Sequence, residues 1–267
     1  MVKSIKRGEI MDNKRSFRDI KKEISANAEI ERYDIIESTN IIARERIAEG
    51  CRQWHTIVAD SQTGGSGRMG RSFFSPCGTG LYMSCVLYPS ENQLGLITGM
   101  AAVSVCEVLE KEFKLLPKIK WVNDIFIDKK KVCGILAKSV PTDRGIAVIL
   151  GIGMNVFKPE DGFPEDIKDS AGYLFEEKEE EMKERLLYSL LKALIGRYEK
   201  IGCDDAPEEY RKRCLTVGRD VTVIPTGNTG NVKEAKALFV DDYYHLTVEY
   251  ENGERETLSS GEVSVKI

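Results

Sequence analysis

The sequence predicts an α+β protein in which a mixed sheet flanked by helices is followed by a smaller all-β domain. Two observations lead to this prediction. Up to about residue 216, apolar segments of strand length are interspersed with longer segments of helical periodicity. From Arg219 onward, short alternating strands are separated by turns such as Glu251-Asn252-Gly253. About fifty residues of this kind are typical of a small barrel.

In the larger domain, apolar runs predict strands at residues 33–36, 55–60, 80–88 and 145–150. Helical periodicity predicts helices at residues 41–49, 94–113, 181–198 and 207–214. Residues 158 to about 180 are polar and acidic, which indicates a connecting loop. In the small domain, alternation predicts strands at residues 221–224, 235–240, 245–250 and 263–267.

The composition is ordinary for a soluble globular protein, with 42% hydrophobic and 31% charged residues in a chain of 267. No apolar run is long enough to cross a bilayer, and the first twenty residues lack the apolar core of a secretory signal. We therefore expect a cytoplasmic protein with no membrane partner. With a net charge of -4, the chain lacks the overall positive charge that is typical of proteins that bind nucleic acid.

The seven cysteines are odd in number, and none forms a CxxC pair. His55 and His245 are the two histidines, so a zinc site is hard to build. We predict free, mostly buried thiols in a reducing compartment and no metal held by protein side chains.

Residues 1–28 are rich in lysine and arginine. We interpret this extension as a solvated tail or a short docked helix, because charge runs are usually solvated. The alternative is an arm that contacts DNA. The segment is too short and too poor in apolar residues for a helix-turn-helix domain with its own core.

The glycine-rich stretch from Gln62 to Arg71 joins two predicted strands. Such a backbone can present several N–H groups to an anion, and Arg68 and Arg71 add fixed positive charge. Phe73 follows and can cover a flat ligand group. The alternative interpretation is a mobile surface loop.

Two apolar runs around a charged tip predict a hairpin over residues 118–136. The pairing brings Asp124 near Gly134. Lys120 and Lys131 can then share one pocket with Asp124. Alternatively, the lysines at the tip form only a solvated turn.

Five motifs of this chain, in this order, resemble those of the biotin protein ligase family, the enzymes that attach biotin to carboxylases. The resemblance covers nearly all of residues 30–267. The matching segments are Ser38-Thr39-Asn40; Gly65-Ser66-Gly67-Arg68-Met69-Gly70-Arg71 for Gly-Arg-Gly-Arg-x-Gly-Arg; Lys120-Trp121-Val122-Asn123-Asp124 for Lys-Trp-Pro-Asn-Asp; Gly151-Ile152-Gly153-Met154-Asn155 for Gly-x-Gly-x-Asn; and Gly261-Glu262-Val263. Any single match is weak, whereas five in the right order are specific.

The resemblance implies a catalytic domain like that of class II aminoacyl-tRNA synthetases and biotin/lipoate ligases at residues 29–216. It also implies a C-terminal SH3-like β-barrel at residues 217–267, with residues 1–28 as an extension. Some family members carry an N-terminal winged helix and repress transcription. The residues before about 30 are too few for one, so we expect a ligase without operator binding and without a nucleic-acid partner.

The implied reaction has two steps. Biotin's carboxylate attacks the α-phosphate of ATP, which enters with Mg²⁺, and biotinyl-5′-AMP and pyrophosphate form. A lysine of a biotin carboxyl carrier protein or domain, part of a biotin-dependent carboxylase, then attacks the mixed anhydride and releases AMP. Homodimerisation through a sheet edge is common in the family and is left open by the sequence.

The resemblance also assigns residues to roles. Catalysis is assigned to Arg68, Lys120, Lys131 and Asp124. Biotin binding is assigned to Ser38, Thr39, Asn40, Gln62, Ser66, Gly67, Arg68, Lys131, Gly134 and Gly153. Nucleotide binding is assigned to Arg68, Arg71, Phe73, Asn123, Asp124 and Asn155.

Three residues depart from the family pattern: Ser66 replaces the first arginine of the loop, Val122 the proline, and Phe73 the tryptophan over the adenine. Because the lost arginine removes a positive charge near biotin and phosphate, the affinity for the adenylated intermediate is expected to change. Arg68 and Arg71 remain, which argues against a catalytically dead binding module.

Two further alternatives are a lipoate or octanoate ligase of the same fold and a biotin-responsive regulator. The Ser-Thr-Asn triplet, the loop spacing and the short barrel favour biotin over lipoate.

Overall fold

The computed structural model describes residues 14–224, 232–259 and 262–265. The helices are α1 (Lys14–Asn27), α2 (Thr39–Ala48), α3 (Ile97–Phe113), α4 (Glu180–Tyr198) and α5 (Ala206–Arg213). The strands of the larger sheet are β1 (Glu29–Ile36), β2 (His55–Gln62), β3 (Gly80–Leu87), β4 (Lys118–Lys120), β5 (Asp124–Ile127), β6 (Lys130–Thr142) and β7 (Gly145–Asn155). Those of the smaller sheet are β8 (Asp220–Ile224), β9 (Lys233–Val240), β10 (Leu246–Tyr250), β11 (Arg255–Leu258) and β12 (Glu262–Val265).

The larger sheet has seven strands in the order β1-β2-β3-β7-β6-β5-β4. β1 and β2 run parallel, and the other neighbouring pairs are antiparallel. α3 and α4 pack on one face of this sheet, and α2 packs on the other. The predicted α+β architecture with a mixed sheet is therefore confirmed.

β3 lies in the middle of the sheet and is buried along its whole length. Cys85 and Leu87 join the large core cluster with α3, whereas Val86 joins a smaller cluster with Ala43 of α2. Successive residues of a strand face opposite sides, so a strand that is covered on both faces is apolar throughout. This explains the unbroken apolar run in the sequence.

One helical segment, Glu91–Phe113, is long and apolar enough by composition to span a membrane, but 67% of its apolar window is buried inside the protein. It consists of a 3-10 turn (Glu91–Leu96) that leads directly into α3. Ser90 and Gln93 form a capping box at its start. The segment is therefore the central packing helix of the core, as its periodicity predicts.

The basic extension contains the helix α1, which docks on α4. Ile24 is buried in the main core, and the Phe17 ring meets the Tyr188 ring edge-on at 6.1 Å. The expectation of a short docked helix is confirmed for residues 14–27, and the lysines and arginine at positions 3, 6 and 7 lie outside the described residues.

The predicted hairpin is present, with Asp124 paired with Gly134 across β5 and β6. An additional short strand, β4, pairs with β5 and sets Lys120 opposite Asp124. The three residues between β4 and β5 therefore form a tight turn at the edge of the sheet.

The smaller sheet is antiparallel, in the order β11-β10-β9-β8-β12. The prediction of four strands was wrong, because it omitted β11, which pairs with β10 across the turn at residues 251–254. β11 is an edge strand with mostly exposed side chains, so its sequence does not have to alternate between apolar and polar residues. The predicted turn at residues 226–228, Gly261 and residues 266–267 lie outside the described residues.

A charged cluster ties β1, α2 and β2 together. Arg46 donates to both carboxylate oxygens of Glu31, at 2.9 and 2.8 Å, and His55 Nε2 lies 3.0 Å from Glu31 Oε2. Tyr33 also donates its hydroxyl to Glu31. The Arg46 hydrogen bonds hold the pKa of the Glu31 carboxyl far below its usual range, although desolvation opposes this shift.

These ion pairs predict a loss of stability in acid. Hydrogen bonds from Lys212 and then Arg213 lower the pKa of Glu209 from 4.5 to about 2, in the same direction as for Glu31. Because both folded pKa values are depressed, the stabilisation is complete above the unfolded pKa and is lost as the pH falls through the folded pKa. Urea unfolding midpoints should therefore drop between about pH 5 and about pH 2, and Glu31→Gln should make that drop smaller. The same pH slope in Glu31→Gln as in the wild-type chain would contradict this assignment.

Candidate active site

A cavity of about 320 Å³ lies between the glycine-rich loop at residues 62–73, the glycines of β6 and β7, and the turn between β4 and β5. Among the residues assigned to the site from the sequence, Ser38 and Asn155 are not part of its lining. The assigned residues that do line it are Thr39, Asn40, Gln62, Ser66, Gly67, Arg68, Arg71, Phe73, Lys120, Asn123, Asp124, Lys131, Gly134 and Gly153. The fold therefore gathers residues from four separate motifs into one space.

One end of the cavity is a fixed hydrogen-bonding centre around Thr39. Gln62 Oε1 accepts from the Thr39 backbone N–H at 2.8 Å and from its hydroxyl at 3.2 Å. Ser84 donates its hydroxyl to Thr39 Oγ1 at 2.7 Å, and the Gln62 amide donates to Ser75 Oγ at 3.1 Å. With these bonds made, the orientations of the Thr39 hydroxyl and the Gln62 amide are set before any ligand binds.

The other two residues of the triplet have different surroundings. Ser38 is fully buried and caps α2, accepting from the Asn40 backbone N–H at 3.4 Å. Asn40 is 9% exposed and lines the cavity, and its Oδ1 has no hydrogen-bond partner within the described chain. Gly151 faces this amide so closely that a Cβ there would lie 2.9 Å from Asn40 Oδ1. Asn40 thus offers an unpaired polar atom to a ligand.

Two glycines form the floor of the cavity. Gly134 of β6 pairs with Gly153 of β7, and the Phe73 ring lies over both. A Cβ at Gly153 would lie 2.7 Å from the ring, and one at Gly134 would lie 3.4 Å from it. The Tyr82 ring supports Phe73 from the side at 6.4 Å. Any side chain at Gly153 would therefore displace Phe73 or reduce the space for a flat ligand group.

The opposite end is rich in positive charge. Lys131 Nζ lies 2.7 Å from Asp124 Oδ1, and Arg68 donates to Asn123 Oδ1 at 3.1 Å. Asn123 in turn donates its amide to the Ile135 carbonyl at 2.7 Å. Arg68, Arg71, Lys120 and Lys131 line the cavity against the single carboxylate of Asp124 among the described lining residues. An anionic ligand is favoured at this end.

Asn155 positions a neighbouring loop instead of facing the cavity. Its amide donates to the Gly172 carbonyl at 2.9 Å, and Lys131 exchanges backbone hydrogen bonds with Ser170 and Gly172 at 2.7 and 2.8 Å. These bonds bring Ile167 and Ser170 of the acidic connecting segment to the cavity wall. The segment is thus a third side of the site.

The sequence did not indicate Ser84, Ile167 and Ser170 as part of the site, and it gave no role to Ser75, which follows the glycine-rich loop. A signal for Ser84 was available, since it is a polar residue inside a strand that is otherwise apolar and buried. Ile167 and Ser170 carried no such signal. Their position depends on hydrogen bonds between their segment and β6, a strand that lies far from them in the sequence.

A second groove of about 550 Å³ lies on the outer side of the glycine-rich loop, with Leu136 and Lys138 of β6 in its lining. Ser66, Arg68 and Arg71 line both the groove and the cavity. The loop is therefore a thin wall between the cavity and the surface. Met69, half exposed at the tip of the loop, has a φ of 54°, in the left-handed region.

All seven cysteines are free, and five of them are buried or half-buried. Burial raises the pKa of Cys85 to about 12, so that thiol is protonated at neutral pH. Within the described part of the chain, no group of three or more His, Cys, Asp or Glu side chains could hold a metal ion.

A mixed sheet with a polar cavity, a cationic end and a covering glycine-rich loop defines an enzyme fold that binds a small anionic substrate. A family model described as biotin/lipoate A/B protein ligase matches residues 33–155. The chain is 32% identical over 234 residues to the bifunctional ligase/repressor BirA of Bacillus spizizenii, covering 85% of this chain and 71% of that relative. With this relative and the matching model, the chain belongs to the biotin/lipoate protein ligase family.

Further relatives and solved structures are consistent with this family. The chain is 27% identical to the biotin–[acetyl-CoA-carboxylase] ligase of Mycobacterium tuberculosis, covering 94% of each chain. A match to the Bacillus subtilis BirA spans 44% of that protein. Among solved structures, the biotin protein ligase of Aquifex aeolicus in complex with biotin and ATP superposes with a TM-score of 0.71 and 28% identity, covering 89% of this chain and 98% of that one.

Proposed function

We propose that this protein is a biotin protein ligase, which activates biotin with MgATP to biotinyl-5′-AMP and then transfers biotin to a lysine of a biotin carboxyl carrier domain. The observation that supports this most directly is the division of one cavity into two ends. A neutral end is organised around Thr39 and Gln62, and a cationic end around Arg68 and Lys131. Biotin and ATP need this combination, because a neutral ring system must lie beside a carboxylate and a phosphate chain.

At the neutral end, Thr39, Gln62 and Asn40 would bind the ring system of biotin. Gln62 and Ser84 fix the direction of the Thr39 hydroxyl, which lowers the ordering cost of binding, and the Asn40 amide adds an unpaired oxygen. Gly134 and Gly153, on which the Phe73 ring packs, would border the apolar tail. Ser38 would act through its cap on α2, because it lies behind Thr39.

At the cationic end, Arg68, Lys120 and Lys131 would act on the first step. The carboxylate oxygen of biotin forms a bond to the α-phosphorus while the bond to pyrophosphate breaks. Two anions must meet for this bond to form, and fixed cations stabilise the charge that develops at phosphorus. Arg71 and Asn123 would contact the nucleotide from the same side.

In the second step, the lysine amine of the carrier attacks the acyl carbon, AMP leaves, and the amine loses a proton. Asp124 is the carboxylate of the described cavity lining that could orient the amine, and its pairing with Lys131 keeps it directed into the site. Mg²⁺ enters with ATP and would neutralise phosphate charge. With no carboxylate cluster among the described residues to fix it, we assign no protein ligand to the ion.

The domain boundaries and partners are part of the proposal. We assign residues 29–216 to the catalytic domain, residues 217–267 to the barrel, and residues 1–28 to an extension whose helix docks on α4.

The carrier domain of a carboxylase is the protein partner, and the enzyme works in the cytoplasm without operator DNA. A biotin-dependent gel shift with double-stranded DNA at physiological salt would overturn the last point. Size-exclusion chromatography with and without biotin and ATP would decide whether a homodimer forms.

The test is pyrophosphate–ATP exchange with purified protein. Exchange should depend on biotin and should not be supported by lipoate or octanoate at equal concentration. Labelled biotin should then appear on a recombinant carrier domain and not on its Lys→Arg variant. Exchange driven equally by lipoate would instead assign the chain to the lipoate branch of the family, and no exchange with any acid would indicate a binding module.

A further inference from the structure

Trp121 lies in the wall of the cavity, next to Lys120 and close to Asn123, and is 4% exposed. It belongs to the turn between β4 and β5, which is at the edge of the larger sheet. An edge turn has few neighbours of its own, so other parts of the chain must determine its position.

Asn123 is held by Arg68 and Ile135, whereas Trp121 and Val122 are held by three hydrogen bonds whose partners all lie after residue 200. Thr216 Oγ1 accepts from the Trp121 backbone N–H at 3.0 Å. The Tyr244 carbonyl accepts from Trp121 Nε1 at 2.7 Å. Tyr210 donates its hydroxyl to the Val122 carbonyl at 3.1 Å. The Trp121–Val122 part of the turn is thus held by α5, by the segment that follows α5, and by the connection between β9 and β10.

The partners are themselves rigidly packed. Tyr210 and Thr216 are fully buried, and Tyr244 is 3% exposed. The Tyr210 and Tyr244 rings meet edge-on at 5.0 Å, and Tyr244 packs so closely on α3 that a Cβ at Gly99 would lie 2.4 Å from its ring. In a core of this density, a displacement of one group displaces its neighbours.

We propose that Tyr210 and Thr216 are positioning residues that fix the Trp121–Val122 turn and thereby set Lys120 and Asn123 for the nucleotide. The proposal rests on the proposed function for the identity of the ligand. The neutral end of the cavity is built on α2, β2 and β3. The hydrogen bonds that organise Thr39 and Gln62 there do not involve Tyr210 or Thr216. Their loss should therefore weaken nucleotide binding and leave biotin binding nearly unchanged.

The experiment compares Tyr210→Phe and Thr216→Val with the wild-type chain by steady-state pyrophosphate exchange. KM for ATP should rise by about fivefold to tenfold in each variant, as expected for one lost buried hydrogen bond, while KM for biotin stays within about twofold. Thr216→Ser, which keeps the hydroxyl, should restore the KM for ATP. Tyr250→Phe is the matched control, because that hydroxyl bonds Glu256 on the smaller sheet away from the turn.

A spectroscopic measurement separates positioning from global destabilisation. The chain has two tryptophans, so Trp54→Phe leaves Trp121 as the one tryptophan, which can be excited selectively over the ten tyrosines. In that background, Tyr210→Phe and Thr216→Val should each increase acrylamide quenching of Trp121 at a temperature where circular dichroism shows a folded protein. This readout needs no activity, so it still tests the contacts if the chain proves not to be a ligase.

Two results would overturn the inference. One is an unchanged KM for ATP together with unchanged quenching in both folded variants. The other is an equal rise of the KM for biotin and the KM for ATP, which would indicate a general loss of structure instead of a local loss of position.

Discussion

Lys131→Met is expected to slow the formation of biotinyl-5′-AMP by about two orders of magnitude. Lys131 lines the cavity, and its Nζ lies 2.7 Å from Asp124 Oδ1. The substitution removes a preorganised cation at the position where negative charge grows, which typically costs about 3 kcal/mol of barrier. It also leaves the half-buried Asp124 carboxylate without its counter-ion, directed at an incoming anion.

The measurement is the single-turnover rate of pyrophosphate release at saturating biotin and ATP. Lys129→Met is the control, because Lys129 is an exposed residue of the same hairpin tip and loses the same charge. Its rate should stay near that of the wild-type chain. A Lys131→Met rate within about threefold of the control would show that the site does not use this lysine in the first step.

The mixed sheet was predictable because its strands carry their own signals. β3 and β7 are buried on both faces, so their sequences are almost wholly apolar, with Ser84 as the polar residue inside β3. The hairpin of β5 and β6 was also predictable, because two apolar runs flank a short charged tip, although a β-bulge between Ile125 and Phe126 shifts its register. Asp124 and Gly134 therefore came together as expected.

Contacts between distant segments could not be read from the sequence. Ser84 orients Thr39 across 45 positions, and Tyr244 binds Trp121 across 123. Neither Ser84 nor Tyr244 lies in a motif, and each of these two contacts depends on how whole helices and strands pack. Asn155 shows the same limit: its contact with the nucleotide stays a prediction, and its motif did not indicate that its amide bonds the Gly172 carbonyl. Local patterns specify elements, and tertiary packing decides which side of an element meets the ligand.

Arg68→Ala is expected to release the adenylated intermediate about tenfold to a hundredfold faster, whereas Ser66→Ala should change its release by less than about threefold. Arg68 bridges the glycine-rich loop to the opposite wall through Asn123, with 3.1 Å between Nη1 and Oδ1. Without the bridge, the thin wall between the cavity and the outer groove loses its attachment to the β4–β5 turn. Ser66 is the position where this chain lacks a family arginine, and its neutral side chain makes no comparable bridge.

The comparison uses enzyme loaded with labelled biotin and ATP, followed by a chase with unlabelled biotin, so that the decay of bound label gives the dissociation rate. A second readout is labelling of bystander lysines on an unrelated protein, which rises when the mixed anhydride escapes before transfer. Arg68→Ala should increase both readouts, and Ser66→Ala should match the wild-type chain. Equal dissociation rates in the two variants would mean that backbone closure of the loop, and not the Arg68 bridge, retains the intermediate.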